Sequence, residues 1–217
     1  MSRRQFLAVM IGLAAIGGLV AANLTDDDAS PAALPAATSA DAAPTTSVAE
    51  ATPTPPDPLA AAPPVLGTAG DLVGLDGWLQ TDATQFSDFD GSVRVVQFWT
   101  FSCSNCKNTL ENLRGLYDEF EPRGLEVIGV HAPEFSFEED PVAIAQAAVE
   151  LGVRWPIALD TDKTNFRSWQ TGRRFWPRTF VLDREGNIRF DRIGEGAYDE
   201  LNATVAYLIE NDSDRSS

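Results

Sequence analysis

The chain has 217 residues, of which 44% are apolar and 22% charged, and this composition excludes a collagen, a wholly disordered chain and a protein with many membrane spans. Its 32 acidic and 16 basic residues give a net charge of −16, and because an acidic chain repels phosphate backbones, nucleic acid is not an expected partner. Two cysteines exclude a disulfide-rich scaffold, and with a single histidine they cannot complete a four-ligand zinc site by themselves, so no metal is expected.

Residues 1–24 resemble an export signal. Ser2-Arg3-Arg4-Gln5-Phe6-Leu7 is similar to the twin-arginine pattern S/T-R-R-x-F-L, and a run of about 16 uncharged, mostly apolar residues follows it. The alternative is a simple N-terminal anchor. Both interpretations predict that the rest of the chain lies outside the cytoplasm, at the cell surface or in a periplasm, and that residues 1–24 make its only contact with a membrane. Cleavage of the signal is left open.

Residues 25–64 are predicted to be a disordered linker. Ala, Pro, Thr, Ser and Asp dominate the segment, which has no aromatic residue to start a core and no Lys or Arg. A folded domain is predicted at residues 65–212, followed by a disordered tail at 213–217.

Strands and helices alternate along the predicted domain. A leading hairpin is expected at residues 74–80, and a buried strand at 92–100 precedes an amphipathic helix at 103–120. The other predicted elements are a strand at 125–130, a helix at 140–151, a strand at 155–159, a helix at 163–171, a β-hairpin at 179–182 and 187–191, and a helix at 198–210. This order predicts an α/β domain with a central mixed β-sheet flanked by helices.

Cys103 and Cys106 form a C-x-x-C pair where the buried strand is followed by a helix. The free N–H groups at a helix N-terminus favour negative charge, so Cys103 is the predicted attacking thiolate. Cys106 lies one turn further on and is predicted to resolve the mixed disulfide, which makes the pair a redox-active disulfide that needs no other cofactor. Three other interpretations stay open: a structural disulfide, half of a metal site with His131, and two inert thiols.

Four motifs follow one another along residues 72–210. They are Phe98-Trp99-Thr100 ahead of Cys103-Ser104-Asn105-Cys106, then Gly129-Val130-His131-Ala132-Pro133-Glu134-Phe135, then Trp176-Pro177 with Asp183 and Gly186, and finally Gly194-Glu195-Gly196-Ala197-Tyr198. Together they resemble the thioredoxin superfamily, specifically its exported TlpA/ResA-like thiol-disulfide oxidoreductases and most closely the thioredoxin-like domain of DipZ-type proteins. The resemblance implies a thioredoxin-like fold.

The resemblance also implies roles for single residues. Pro177 is expected to follow a cis peptide bond and to face the cysteine pair, in a groove where a partner's extended chain docks. The residues expected to line or adjoin that groove are Trp99, Ser104, Asn105, His131 and Trp176.

The proton acceptor for the resolving thiol departs from the family's pattern. The buried acid of thioredoxin corresponds here to Gln97, and the Glu of ResA-like proteins corresponds to Thr109. Glu134 is the predicted replacement, with His131 nearby, because both follow the end of a strand at the edge where the cysteine loop should lie. Glu195 is a third candidate.

The leading hypothesis is an exported, membrane-tethered enzyme that exchanges its dithiol or disulfide with protein thiols and disulfides. A membrane partner is expected to donate or accept the electrons. A peroxiredoxin-like thiol peroxidase is the second hypothesis, because Thr100-x-x-Cys103 resembles that family's T-x-x-C, although the preceding proline is missing. A copper-binding or adaptor module with a thioredoxin fold is the third, although Sco-like copper proteins use a wider C-x-x-x-C. The direction of electron flow and the oligomeric state do not follow from the sequence.

Overall fold

The computed structural model describes residues 61–212, so the predicted signal, most of the linker and the tail lie outside the described residues. Within them the strands are β1 (Gly67–Thr68), β2 (Gly77–Leu79), β3 (Val93–Trp99), β4 (Leu125–His131), β5 (Ile157–Leu159), β6 (Arg178–Leu182) and β7 (Asn187–Ile193). The α-helices are α1 (Ser104–Phe120), α2 (Pro141–Glu150), α3 (Thr164–Trp169) and α4 (Tyr198–Asp212), and short 3-10 helices occupy Phe86–Phe89, Glu121–Arg123 and Ser136–Glu138. None of the helices in this part of the chain has the length and apolar character needed to cross a membrane.

The strands form one mixed sheet in the order β1-β7-β6-β3-β4-β5-β2. The central strand β3 runs parallel to β4 and antiparallel to β6, and the register pairs Trp99 with His131 and Phe98 with Arg178. The last residues of β3 and β4 and the first residue of β6 therefore lie at one end of the sheet. We call it the cysteine end, because the loop to Cys103 leaves β3 there.

Both faces of the sheet are covered, which explains why β3 is a nearly continuous apolar run. Successive side chains of a strand point to opposite faces. Val93, Val95 and Trp99 join a core with α1, α2 and α4, whereas Val96 and Phe98 join a second core with α3 and the first 3-10 helix. The mixed sheet with helices on both faces, predicted from the element order, is confirmed.

Helix α1 carries the cysteines and is fixed by its apolar stripe. Leu110, Leu113, Leu116 and Phe120 recur at spacings of three and four residues, and all four side chains are buried against the sheet. The chain leaves the helix through a 3-10 turn that ends at Gly124, whose φ of 93° suits glycine. The predicted helix at 103–120 is thus confirmed to within one residue.

The predicted leading hairpin at residues 74–80 is wrong. Strand β2 pairs antiparallel with β5 at one edge of the sheet, and Asp76 N–H donates to the Leu159 carbonyl oxygen at 2.9 Å just before it. Strand β1 pairs with β7 at the opposite edge. A local pattern of turn and apolar residues does not reveal a strand's partner when that partner lies far along the chain.

The described chain enters the domain at the end of the sheet away from the cysteines. Gly67 of β1 pairs with Ile188, which lies opposite Leu182 at the end of β6. Just upstream, Arg189 Nε donates to the Pro63 carbonyl oxygen at 3.0 Å. This contact holds the incoming chain against strand β7.

Candidate active site

The two cysteines are free thiols at the start of α1. Cys103 is the helix N-cap and is half-buried, whereas Cys106 in the first turn is completely buried. The Cys106 N–H donates to Cys103 Sγ with an N–S distance of 3.2 Å. A donor of the first helical turn therefore points at the outer sulfur, where it stabilises negative charge during attack or departure.

The inner thiol, Cys106, keeps its proton in the reduced state. Burial is the largest of the causes that raise the pKa of Cys106, followed by a hydrogen bond to Cys103 and by the negative charges of Cys103 and Glu138. A hydrogen bond from the backbone of Thr100 lowers the pKa of Cys106, but the causes that raise the pKa are larger. An accessible outer sulfur and a buried, protonated inner one fit the predicted division into attacker and resolver.

A neutral hydrogen-bonded cluster lies next to Cys106. Gln97 Nε2 donates to Thr109 Oγ1 and to Thr179 Oγ1, both at 3.1 Å, and all three side chains are buried. The Thr109 hydroxyl in turn donates to the Cys106 carbonyl oxygen at 2.7 Å. Gln97, Thr109 and Thr179 therefore form a hydrogen-bonded polar cluster that carries no charge.

The carboxylate near the cysteine loop is that of Glu138, which is completely buried. Its Oε1 accepts the Ser102 N–H at 3.1 Å, and its Oε2 accepts the N–H groups of Glu134 and Phe135 at 2.7 and 3.0 Å. Burial by itself would raise the pKa of Glu138, but hydrogen bonds from Ser102, Thr100, Phe135 and Glu134 outweigh it and hold the pKa below its ordinary value. The site thus contains a fixed buried anion.

The prediction that Glu134 is the buried acid is wrong. Its side chain is exposed, and only its backbone N–H reaches the site. After the end of β4 the chain turns into the 3-10 helix, and the acid at the third position of that turn reaches back to the Phe135 N–H ahead of it. Glu138 thus makes the reciprocal half of a capping box, but the N-cap is Phe135, so the Ser/Thr/Asp/Asn signature that would have revealed the motif in the sequence is absent. Glu195, the third candidate, accepts from Asn108 on the exposed side of α1 at 3.2 Å.

Thr100 links the buried anion to His131. Thr100 Oγ1 lies 3.3 Å from His131 Nε2, and its side chain is hydrogen-bonded to Glu138. An ionised carboxylate only accepts, so the Thr100 hydroxyl donates to Glu138 and accepts from His131, which assigns the proton to Nε2. Nδ1 is then an acceptor, and no partner for it is present among residues 61–212.

His131 is neutral at pH 7, and this state makes the folding stability depend on pH. Burial lowers the pKa of His131 to about 4, against the opposing charge of Glu138. Below pH 6.5 His131 of the unfolded chain binds a proton, whereas His131 of the folded chain stays neutral down to about pH 4. The free energy of unfolding therefore decreases as the pH falls from 6.5 to about 4. We expect a loss of about 2 kcal/mol between pH 7 and pH 5 from this residue.

Urea unfolding of the wild type and of His131→Phe at both pH values measures this loss. Phe preserves the aromatic contact with Phe101, whose ring stacks on His131 with centroids 5.7 Å apart. The variant should show the smaller decrease between pH 7 and pH 5. Equal decreases in the two proteins would contradict the assignment.

The predicted cis bond at Trp176-Pro177 is confirmed. Pro177 directly precedes β6, so the register with β3 places it at the cysteine end of the sheet. Trp176 is half-buried, stacks on Phe166 with centroids 4.2 Å apart, and donates from Nε1 to the Ala132 carbonyl oxygen at 2.8 Å. The loop before β6 is thereby joined to the loop after β4.

The five residues predicted for the groove divide into two groups. Ser104 and Asn105 are exposed and Trp176 is half-buried, so these three remain predicted contacts for a partner. Trp99 and His131 are each only 1% exposed, so the prediction that they line a groove is wrong. The Trp99 ring packs inward over Gly129, where an added Cβ would lie 2.7 Å from Trp99 Nε1.

No cluster of three or more potential metal ligands from His, Cys, Asp and Glu occurs within residues 61–212. The described site brings together two thiols and a fixed negative charge.

Comparison with known families and sequences agrees with this geometry. A model described as the AhpC/TSA family matches residues 73–191, more than half of the chain. Protein DipZ of Mycobacterium bovis is 38% identical over 149 residues, which cover 67% of this chain and 21% of DipZ. The chain thus spans about a fifth of the length of that relative. The thiol-disulfide oxidoreductase YkuV of Bacillus subtilis is 26% identical over 139 residues, which cover 64% of this chain and 92% of YkuV.

Solved structures show the same fold. A thiol:disulfide interchange protein of the thioredoxin family from Chlorobium tepidum matches with a TM-score of 0.52 and 18% identity, over 66% of this chain and 96% of that one. At this identity the likeness concerns the fold alone. The thioredoxin-like fold implied by the sequence motifs is confirmed.

Proposed function

This chain belongs to the AhpC/TSA family, and from that premise and the geometry of its cysteine pair we propose that it is a thiol-disulfide oxidoreductase acting on partner proteins outside the cytoplasm. The observation that carries the proposal is the contact of 3.2 Å between the Cys106 N–H and Cys103 Sγ. A half-buried outer sulfur and a buried inner one, whose side chains are hydrogen-bonded to each other, lie at the end of the sheet that also holds Pro177.

The proposed reaction is a two-step exchange. The Cys103 thiolate attacks one sulfur of a partner disulfide, forms a mixed disulfide, and releases the partner's other sulfur as a thiolate. Cys106 then loses its proton and attacks Cys103 Sγ, which forms the Cys103–Cys106 disulfide and releases the partner's second thiol. Two electrons pass to the partner, and the reverse sequence would oxidise a partner dithiol.

Export and tethering are parts of the same proposal. They are supported by the twin-arginine-like segment with Arg3 and Arg4 and by the Pro-rich stretch that follows it. Outside the cytoplasm a thiol pair needs a partner that returns or removes two electrons per cycle, and a membrane protein is the proposed donor or acceptor.

The reduction potential of the pair tests the proposal. The full chain is equilibrated with dithiol–disulfide buffers, and its thiols are counted by alkylation and mass. We expect one intramolecular disulfide that forms and breaks in a single two-electron step. A potential of about −250 mV or lower would make the protein a reductant, and one near about −120 mV an oxidant. Failure to form that disulfide would contradict the proposal.

Two control assays separate the other hypotheses. Consumption of hydrogen peroxide at a rate exceeding that with disulfides would indicate a thiol peroxidase. Copper binding that requires both thiols, measured against the Cys103→Ser/Cys106→Ser variant, would indicate a metal-binding module. The proposed function predicts neither result.

A further inference from the structure

An exposed aromatic pair lies beside the active-site loop. Phe135 and Phe137 are 51% and 59% exposed, and their rings stack with centroids 5.6 Å apart and planes within 7°. We call this pair the aromatic ledge. Two large rings held parallel and open to solvent form an apolar surface of the kind that marks an interaction site.

The ledge is fixed in position relative to Cys103. The ring of Phe137 lies edge-on to that of Phe101, with centroids 6.0 Å apart, and Phe101 is two residues ahead of Cys103. On the backbone side, Glu138 accepts both the Ser102 N–H of the cysteine loop and the Phe135 N–H of the ledge. A surface ordered in advance loses little conformational entropy when a partner binds.

Acidic residues flank the ledge in the sequence. No Lys or Arg occurs between Arg123 and Arg154, whereas six acids do: Glu126, Glu134, Glu138, Glu139, Asp140 and Glu150. Three of these acids flank the ledge with exposed side chains, namely Glu134, Glu139 and Asp140. The ledge is therefore an apolar contact surface with three exposed carboxylates beside it, and these attract cationic side chains of a partner.

We propose that the aromatic ledge docks an extended segment of the partner protein that carries basic residues and an aromatic or long aliphatic side chain close to its cysteine. The proposal rests on the proposed function, for which it names the substrate class. A second copy of this chain does not fit, because it would bring the same acidic segment and a net charge of −16. An anionic lipid surface is repelled for the same reason.

Three disulfides test the proposal with the reduced full chain. Two are disulfide-linked peptides of equal length, one with Lys and Phe around its cysteine and one with Glu and Ser. The third is hydroxyethyl disulfide, which has no flanking residues. We expect the Lys/Phe peptide to react about tenfold faster than the Glu/Ser peptide at low salt, and the ratio to fall in 1 M salt as the charges are screened.

Serine substitutions in the aromatic ledge test whether the ledge causes the preference for the Lys/Phe peptide. The Phe135→Ser/Phe137→Ser variant should reduce the ratio between the two peptides to about twofold, because the apolar contact is lost. Val142→Ser/Val149→Ser is the matched control, since both valines are exposed on the neighbouring helix α2, at 74% and 77%. The control should keep the wild-type ratio.

Each outcome bears on a distinct claim. Three results would overturn the docking proposal: equal rates for the two peptides in the wild type, an undiminished tenfold ratio in the Phe variant, or no decrease of the wild-type ratio in 1 M salt. Reduction of hydroxyethyl disulfide would leave the proposed function standing in that case. If the Cys103–Cys106 pair has a potential of about −250 mV or lower and still reduces none of the three disulfides, the proposed function fails, and the docking proposal fails with it. If the potential lies near about −120 mV, the same peptides are compared as dithiols oxidised by the disulfide form, with the same expected ratio.

Discussion

Replacing Cys106 with serine is expected to leave the protein joined covalently to its substrate after a single attack. The half-buried Cys103 still forms the mixed disulfide, but the buried thiol that would release it is absent. Turnover should stop after about one equivalent of partner per chain. Non-reducing mass spectrometry of Cys106→Ser after exposure to a disulfide peptide measures the adduct directly.

The reciprocal variant provides the control. Cys103→Ser retains only the buried thiol, whose pKa is raised chiefly by burial, so it should form no adduct under the same conditions. Equal adduct formation by both variants would show that either sulfur can attack. The division of roles between Cys103 and Cys106 would then be wrong.

Glu138→Gln is expected to destabilise the fold by about 3 kcal/mol. The carboxylate accepts backbone N–H groups on both oxygens, from Ser102 on one side and from Glu134 and Phe135 on the other. An amide offers one acceptor oxygen, so at least one buried N–H would face an NH₂ group and remain unpaired. Denaturant unfolding at pH 7 measures the difference.

The same substitution should also alter the chemistry. The charge of Glu138 contributes to the raised pKa of Cys106, so its removal lowers that pKa. Release of glutathione from a mixed disulfide on Cys103 should then become faster at lower pH in the variant than in the wild type. An unshifted pH profile would limit Glu138 to a structural role.

Glu134→Gln is the matched control for both measurements. It makes the same chemical change four residues away, on an exposed side chain. Its stability should stay within about 0.5 kcal/mol of the wild type. A loss as large as that of Glu138→Gln would contradict the assignment of the buried anion.

The parts of the fold that were predictable from the sequence are those in which the local pattern and burial coincide. Strand β3 is almost entirely apolar because both of its faces are covered, and α1 shows its apolar stripe at helical spacing. The partner of β2 was not predictable in this way, because edge pairing with β5 depends on where distant segments meet. The overall arrangement of strands and helices was predicted from the motifs that resemble the thioredoxin superfamily.

The site was predictable for the cysteines and for Pro177 but not for the acid. A C-x-x-C pair at a strand-to-helix junction is a local signal, and the cis bond follows from the resemblance. The choice between Glu134 and Glu138 depended on the conformation of the loop after β4. That conformation is stabilised by the Glu138 carboxylate, which accepts hydrogen bonds from backbone N–H groups of two loops. Burial of Trp99 likewise depended on the absence of a side chain at Gly129.

The pairing of β1 with β7 gives the domain a definite polarity. The chain enters the sheet at Gly67, which pairs with Ile188, whereas the loop to Cys103 follows the last residue of β3 at the opposite end of the sheet. A support attached ahead of Pro63 would therefore pull on the side remote from the thiols, and the reactive sulfur would face outward from that support. Immobilising the protein by its leading segment should accordingly preserve its reaction with large partners, whereas attachment through the loop at Phe175 would obstruct the reactive end.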